Sequence, residues 1–203
     1  MRKIVIFVLV CLAGLLILGG CGASAPTDAD MPDFDIVAVT FDYQKQTGFA
    51  SNQFAVWIEN EDGALIKTLY ATRFTASGGY RDRPDAIPVW VERSGLSEMT
   101  DVDAITGATP KSGSLRFVWD LTDTSGQRVP DGSYRFFVEG TLRWKNRVLF
   151  SGELLLDGGA ASAEAAPAYT YATSDEQSAL TGDSPEHGMI ANVRAAYIPP
   201  EQP

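Results

Sequence analysis

Hydrophobic residues are arranged in two unlike ways along this chain. From Ile4 to Leu18 they run without a break (IVIFVLVCLAGLLIL), preceded by Arg2 and Lys3 and followed by Gly19-Gly20-Cys21-Gly22. From Phe34 onward they recur at every second position, in short runs separated by turns rich in Gly, Asp and Pro. An unbroken apolar run with a positive start and a small-residue end is an export signal, not an element of the fold. Alternation with a period of two predicts β-strands with one buried face.

The alternating runs are Phe34 to Tyr43, Ser114 to Leu121, Ser133 to Trp144, Arg147 to Leu156 and Met189 to Ile198. Gln53 to Glu59 (QFAVWIE) departs from them by being apolar on both faces, and Asn60-Glu61-Asp62-Gly63 after it signals a hairpin into Ala64 to Phe74. Lys145-Asn146 predicts a second, tight hairpin. A long stretch from Thr75 to Gly113 has no regular period, and only Pro88 to Ser94 within it predicts a short helix. Loops of that length are uncommon unless they serve a function. The expected fold is all-β: an antiparallel, Ig-like β-sandwich with one long loop containing a short helix.

Composition divides the chain further. Without the twenty leader residues, 183 of the 203 remain, and loss of Arg2 and Lys3 takes the net charge from −10 to −12. That balance disfavours nucleic acid, whose binding rests on phosphate neutralisation by Lys and Arg. The expected organisation is a signal at 1–20, a lipidated cysteine with a small, acidic tether at 21–34, and the sandwich at 35–157. A low-complexity insertion at 158–187, rich in Gly, Ala, Ser, Pro and acids, and a closing strand with tail at 188–203 complete it.

Leu18-Gly19-Gly20-Cys21 resembles the bacterial lipobox, which implies thioether diacylation of Cys21 and cleavage before it. Two or three acyl chains, at about 0.8 kcal/mol per buried methylene, anchor a protein stably where one chain is marginal. The alternatives are a signal cut after Ala23-Ser24-Ala25 or an uncleaved anchor. Cys11 leaves with the signal, so Cys21 has no partner for a disulfide. The expected location is extracytoplasmic, at a membrane.

Val118 to Gly140 (VWDLTDTSGQRVPDGSYRFFVEG) resembles the Ig-like repeat of the flagellar hook-capping protein. Trp119, Asp120, Asp123, Gly126, Val129, Gly132 and Tyr134 match in order, while Leu121 stands where Gly is usual. A wider span, Phe54 to Tyr197, resembles a bacterial family of predicted periplasmic proteins known as a domain of unknown function, in the blocks FAVWIEN-EDG-ALIKTLYATRF, GGYRDRPDAIPVW and DAITGATPKSG. That resemblance implies an envelope β-sandwich found in the company of extracytoplasmic redox proteins, with no assigned activity.

Two constellations carry candidate chemistry. Asp103-Ala104-Ile105-Thr106-Gly107-Ala108-Thr109 resembles the D-x-x-[ST]-G-A-T motif on which a flavin transferase attaches FMN by a phosphoester to the last Thr, here Thr109. The resemblance implies an exposed hydroxyl, small neighbours and an upstream acid; Pro110 departs from the motif, and no flavin-binding domain surrounds it. The plainer alternative is a Gly-containing turn into the next strand. The second constellation, Arg73, Tyr80, Arg81, Arg83, Trp90 and Arg93, gathers cations and aromatics in an acidic chain, as a ligand or partner patch would. Asp82, Asp85 and Glu92 alternate with them, and a self-paired network is the alternative.

Other motifs fail on their own terms. Lys111-Ser112 follows Pro110, which has no N–H for a phosphate. Asp120-x-Thr122-x-Thr124 lacks the Gly of a calcium loop. His187 stands alone, without the partners of a zinc site or a Ser-His-Asp triad. The leading expectation is therefore a non-catalytic, lipid-anchored binding or scaffolding module with no cofactor and no metal. The alternative is an electron-transfer accessory carrying FMN on Thr109 or docking to an envelope redox protein. An enzyme acting through loop carboxylates such as Asp101 and Asp103 stands third.

Overall fold

The computed structural model describes residues 34–46, 52–96, 105–141, 147–171 and 189–200. In chain order the strands are β1 Ile36–Tyr43, β2 Gln53–Asn60, β3 Leu65–Thr72, β4 Thr106–Gly107, β5 Gly113–Trp119, β6 Gly132–Thr141, β7 Arg147–Leu156, β8 Ala161–Glu164, β9 Ala166–Tyr171 and β10 Ile190–Ile198. Between β3 and β4 lies the helix α1 Pro88–Ser94. The strands form two sheets in the orders β5-β1-β10-β8 and β4-β3-β2-β6-β7-β9, an all-β sandwich. Among these strands only β3 and β4 pair in parallel.

Alternation puts one residue in two between the sheets. Val37, Val39, Phe41 and Tyr43 from β1 meet Phe54, Val56 and Ile58 from β2, Tyr134, Phe136 and Val138 from β6, and Val148, Phe150 and Leu154 from β7. At one end of this core Phe41, Tyr43, Phe54, Tyr70 and Phe117 pack ring against ring, with neighbouring centroids 4.9 to 5.8 Å apart. At the other end Trp119 meets Tyr134 edge to face at 5.2 Å. Removing this apolar surface from water is the main drive to fold, at about 25 cal/mol per Å².

β2 is buried along nearly its whole length because sheet two is covered on both sides. On its outer face Ala55, Trp57, Ala71 and Phe137 pack under Ala76, Ile87, Trp90 and Leu96, forming a second core. The stretch after β3, expected as a large irregular loop, therefore covers the sheet. Its helix falls where the sequence predicts it, and a kinked helical turn at Thr75–Gly79 precedes it.

Two further expectations change. The supposed insertion contains β8 and β9, which extend the edges of the two sheets by pairing with β10 and β7. An edge strand buries little, so Ala- and Ser-rich segments can form one through backbone hydrogen bonds alone. The closing strand β10 lies between β1 and β8, inside sheet one. The register of β6 with β7 places Thr141 opposite Arg147, where a two-residue turn at Lys145-Asn146 would place Trp144 there; residues 142–146 lie outside the described residues.

The sandwich has two distinct ends. At the end where β1 begins, Arg128 makes a two-pronged ion pair with Asp35, and the Tyr197 hydroxyl donates to Asp35 at 3.1 Å. The Arg128 guanidinium beside it holds the Asp35 carboxyl below its usual range. At the opposite end Tyr43 pairs with Gly113, and the strands Gln53, Thr72 and Thr141 start or finish there.

Candidate functional site

The arginine and aromatic block falls within the cover over sheet two, and its members have unlike fates. Trp90 is completely buried, and its Nε1 donates to Thr68 Oγ1 at 3.0 Å, so its ring belongs to the second core and offers no face to a ligand. Arg93 donates to the Gly63 carbonyl at 3.1 Å and lies 3.8 Å from the buried carboxylate of Glu59. Glu59 also accepts from Trp57 Nε1 at 2.9 Å. Arg83 is half-buried, and desolvation lowers its pKa against the opposing charge of Asp85. Arg73 and Arg81 are exposed, as is Arg93 apart from its bonds to Gly63 and Glu59, with Arg81 lying 5.2 Å from the centre of the half-buried Tyr80 ring. Two of the block's members are thus spent on the fold, and the expected continuous patch reduces to Arg73, Tyr80 and Arg81 with part of Arg83.

A side chain that the sequence does not single out holds the cover in place. Glu139 points outward from β6 into the second core, where its carboxylate accepts from the backbone N–H groups of Val89, at 3.2 Å, and Trp90, at 2.8 Å. Pro88, the first residue of α1, has no N–H, so Glu139 serves the next two donors of the first turn. Thr141 lies two residues further along β6 and accepts from Ile87 N–H at 2.9 Å. Burial pushes the Glu139 carboxyl up to about 7, against the opposing pull of the two N–H groups and the charge of Arg147. A lone Glu after the apolar run Phe136-Phe137-Val138 is the available signal.

The described part of the flavin motif, Ile105 to Thr109, lies at the end of the sandwich opposite Asp35. Asp103 lies outside the described residues, as do Cys21, Asp101 and His187. Thr106 and Gly107 form β4 and pair in parallel with Ala71 and Thr72 at the edge of sheet two. The Thr106 hydroxyl is buried with no hydrogen-bond partner among the described residues. Ala108 is exposed and Thr109 partly exposed. The Tyr70 hydroxyl donates to the Ala108 carbonyl at 2.9 Å. Gly107 has no room for a side chain, since a Cβ there would lie 2.7 Å from Tyr70 Cε2. The spacing D-x-x-T-G-A-T marks this turn, but nothing in it points to Tyr70, which sequence alternation reads as core.

The Asp120 loop gathers around a lysine. The Lys67 ammonium occupies it, donating to Thr122 Oγ1 at 2.5 Å, the Asp123 carbonyl at 3.2 Å and Asp120 Oδ1 at 3.4 Å. Among the described residues no group of three or more His, Cys, Asp or Glu is placed to hold a metal ion.

Fold and site together define an all-β sandwich whose long central segment builds a second core and ends in a pinned edge turn. The chain belongs to the family described as predicted periplasmic protein (DUF2271), whose model matches residues 36–174, from β1 through β9. No curated protein and no solved structure gives a match. Among the described residues no helix is long and apolar enough to cross a membrane.

Proposed function

We propose that this periplasmic-family protein is a lipid-anchored module of the cell envelope, held to the membrane through acyl chains on Cys21, that binds or scaffolds and catalyses nothing itself. One observation carries the reading: the buried polar side chains of the second core are spent on holding the cover, Gln53 on Thr75, Thr68 on Trp90, Glu139 and Thr141 on the start of α1. The module is of the Ig-like kind. Supporting this, the Tyr134 hydroxyl donates to the Pro130 carbonyl four residues upstream at 2.7 Å, the tyrosine-corner device of Greek-key sandwiches. Metabolic labelling with a radioactive fatty acid tests the anchor. Label is expected on the wild-type chain and lost in Cys21→Ala; label retained by Cys21→Ala would refute it.

A second reading is favoured by the edge turn: the protein carries FMN on Thr109 as an accessory of envelope electron transfer. The residues present fit such a group. Thr109 is partly exposed, the neighbours Gly107 and Ala108 are small, and the turn is fixed by backbone pairing and by Tyr70. FMN there would supply one- and two-electron redox chemistry; the chain's own residues would present and orient its attachment point. Docking to a flavinylated partner would instead fall to Arg73, Arg81 and Arg83, since Trp90 is buried. Absorbance near about 450 nm in protein co-expressed with a flavin transferase separates the readings, because a covalent cofactor survives purification. A colourless wild-type protein removes FMN on Thr109 and leaves the first reading and the docking role.

A further inference from the structure

We propose that Tyr70 is the positioning residue of the Thr109 acceptor turn, and that Gly107 is glycine because the Tyr70 ring fills the space its side chain would need; this rests on the FMN reading above. Tyr70 secures the turn at two levels. Its own strand continues into Ala71 and Thr72, which pair with Thr106 and Gly107 and so hold the first half of the turn through the backbone. Its hydroxyl then holds the second half through the Ala108 carbonyl at 2.9 Å. That bond fixes the peptide unit leading into Thr109, from which the acceptor hydroxyl projects.

Tyr70 itself is held firmly. Its ring stacks on Phe54 with centroids 4.9 Å apart and an interplanar angle of 25°, and packs on Phe117 at 5.0 Å. Both partners belong to the aromatic end of the inner core, and Phe54 is completely buried. An anchor with a locked ring transmits the position of the sheet to the turn, whereas a surface side chain would not. The approach of Gly107 completes the arrangement: at 2.7 Å from Tyr70 Cε2, a methyl group would push the turn off the ring. The small residues of the motif thus have separate roles. Gly107 accommodates Tyr70, and exposed Ala108 leaves the approach to Thr109 open.

The transfer balances as follows. A flavin adenine dinucleotide supplies the FMN; a bond forms between Thr109 Oγ and the FMN phosphorus while the pyrophosphate bond breaks. AMP leaves with the bonding electron pair, and the Thr109 hydroxyl proton passes to the transferase. No net oxidation occurs. Holding an acceptor hydroxyl in one orientation lowers the entropic cost of reaching the in-line geometry, so misplacement acts on the turnover step.

The experiment uses detergent-solubilised full-length chain, purified flavin transferase and flavin adenine dinucleotide. It follows covalent FMN by intact mass and extracts kcat and KM for the protein substrate. Tyr70→Phe keeps the ring and its packing while removing the hydroxyl. The expected result is a fall in kcat of tenfold or more, little change in KM and an unchanged melting temperature. Gly107→Ala is expected to lower kcat similarly, and it decides the question if Tyr70→Phe proves poorly folded. Wild-type kcat in the folded variants overturns the positioning role while leaving Thr109 as acceptor. A wild-type chain that takes up no FMN, or a Thr109→Ala chain that takes up as much as wild type, overturns the FMN reading and this inference with it.

Discussion

The two outer faces of the sandwich contrast sharply. On sheet one the outward positions include Asp42 from β1, Ser114, Arg116 and Val118 from β5, and Arg194 from β10, all exposed, with Thr40 half-buried and only Ile36 and Ala38 at the start of β1 buried among the outward residues of that strand. On sheet two the outward positions of β2 and β6 include Trp57, Glu59, Phe137, Glu139 and Thr141, all buried under the cover. Both faces carry polar residues, but these mean different things on them. On the open face a polar side chain meets water, and its loss costs little. Under the cover it must find a partner within the protein, and its loss leaves another group unsatisfied.

The largest expected effect breaks the covered face directly. Trp90→Ala removes a fully buried ring and the hydrogen bond to Thr68, and should cost about 3–5 kcal/mol of unfolding free energy in urea titration. A cost below about 1 kcal/mol would mean that the cover contributes little to folding. Next comes Glu139, through pH. Its carboxyl is raised in the folded state from the usual 4.5 to about 7. The folded protein therefore binds this proton more tightly than the unfolded chain. The associated stability is fully present below about pH 4.5 and is lost as pH rises to about 7, by roughly 3 kcal/mol. Glu139→Gln should abolish that part of the pH slope. A variant with the wild-type slope between pH 4.5 and 7 would show that Glu139 titrates normally in the folded protein.

How far the sequence anticipates this contrast depends on the residue. Strand alternation identifies the inner core correctly, from Val37 to Tyr197, because a period of two is set by backbone geometry. Gln53 to Glu59 already reads as apolar on both faces, the mark of a sheet covered twice, but nothing local identifies the cover. Its contacts join residues far apart in sequence, such as Trp90 with Thr68 and Val89 with Glu139. Ion pairs follow the same logic. Arg93 alternates with Glu92 in sequence yet pairs with Glu59 across a hairpin. Thr106 to Thr109 stand out by motif, whereas Tyr70 looks like an ordinary core residue until the parallel pairing of β3 with β4 brings Ala108 over it. β8 and β9 are missed because edge strands carry little hydrophobic signal.

A smaller effect is expected where a charge is only partly enclosed. Lys67→Met removes the ammonium that gathers Thr122, the Asp123 carbonyl and Asp120, and should cost about 1 kcal/mol, a value typical of a few partly solvated hydrogen bonds. Without the ammonium, Asp120 loses one of the donors that, with Thr122, hold its carboxyl below the usual range in spite of partial burial. Its titration midpoint, followed by NMR, should therefore rise. An unchanged midpoint would assign the lowering to Thr122 alone.

The smallest effect lies on the open face, and it is the sharpest control. Arg194 is exposed, and its described side-chain bond is a donation from Nε to Thr40 Oγ1 at 3.1 Å. Water can replace that donor, and exposed pairs of this kind contribute little, so Arg194→Ala should change stability by less than about 0.5 kcal/mol. Arg93→Ala makes the matched comparison under the cover. Its side chain is also substantially exposed, but its charge faces buried Glu59, and truncation should cost more than that of Arg194 because it leaves an acid in the second core with less compensation. Equal costs in parallel urea titrations would mean that Arg135, 3.9 Å from the other Glu59 oxygen, is sufficient to neutralise it. A cost above about 1.5 kcal/mol for Arg194→Ala would contradict the description of sheet one as open to water.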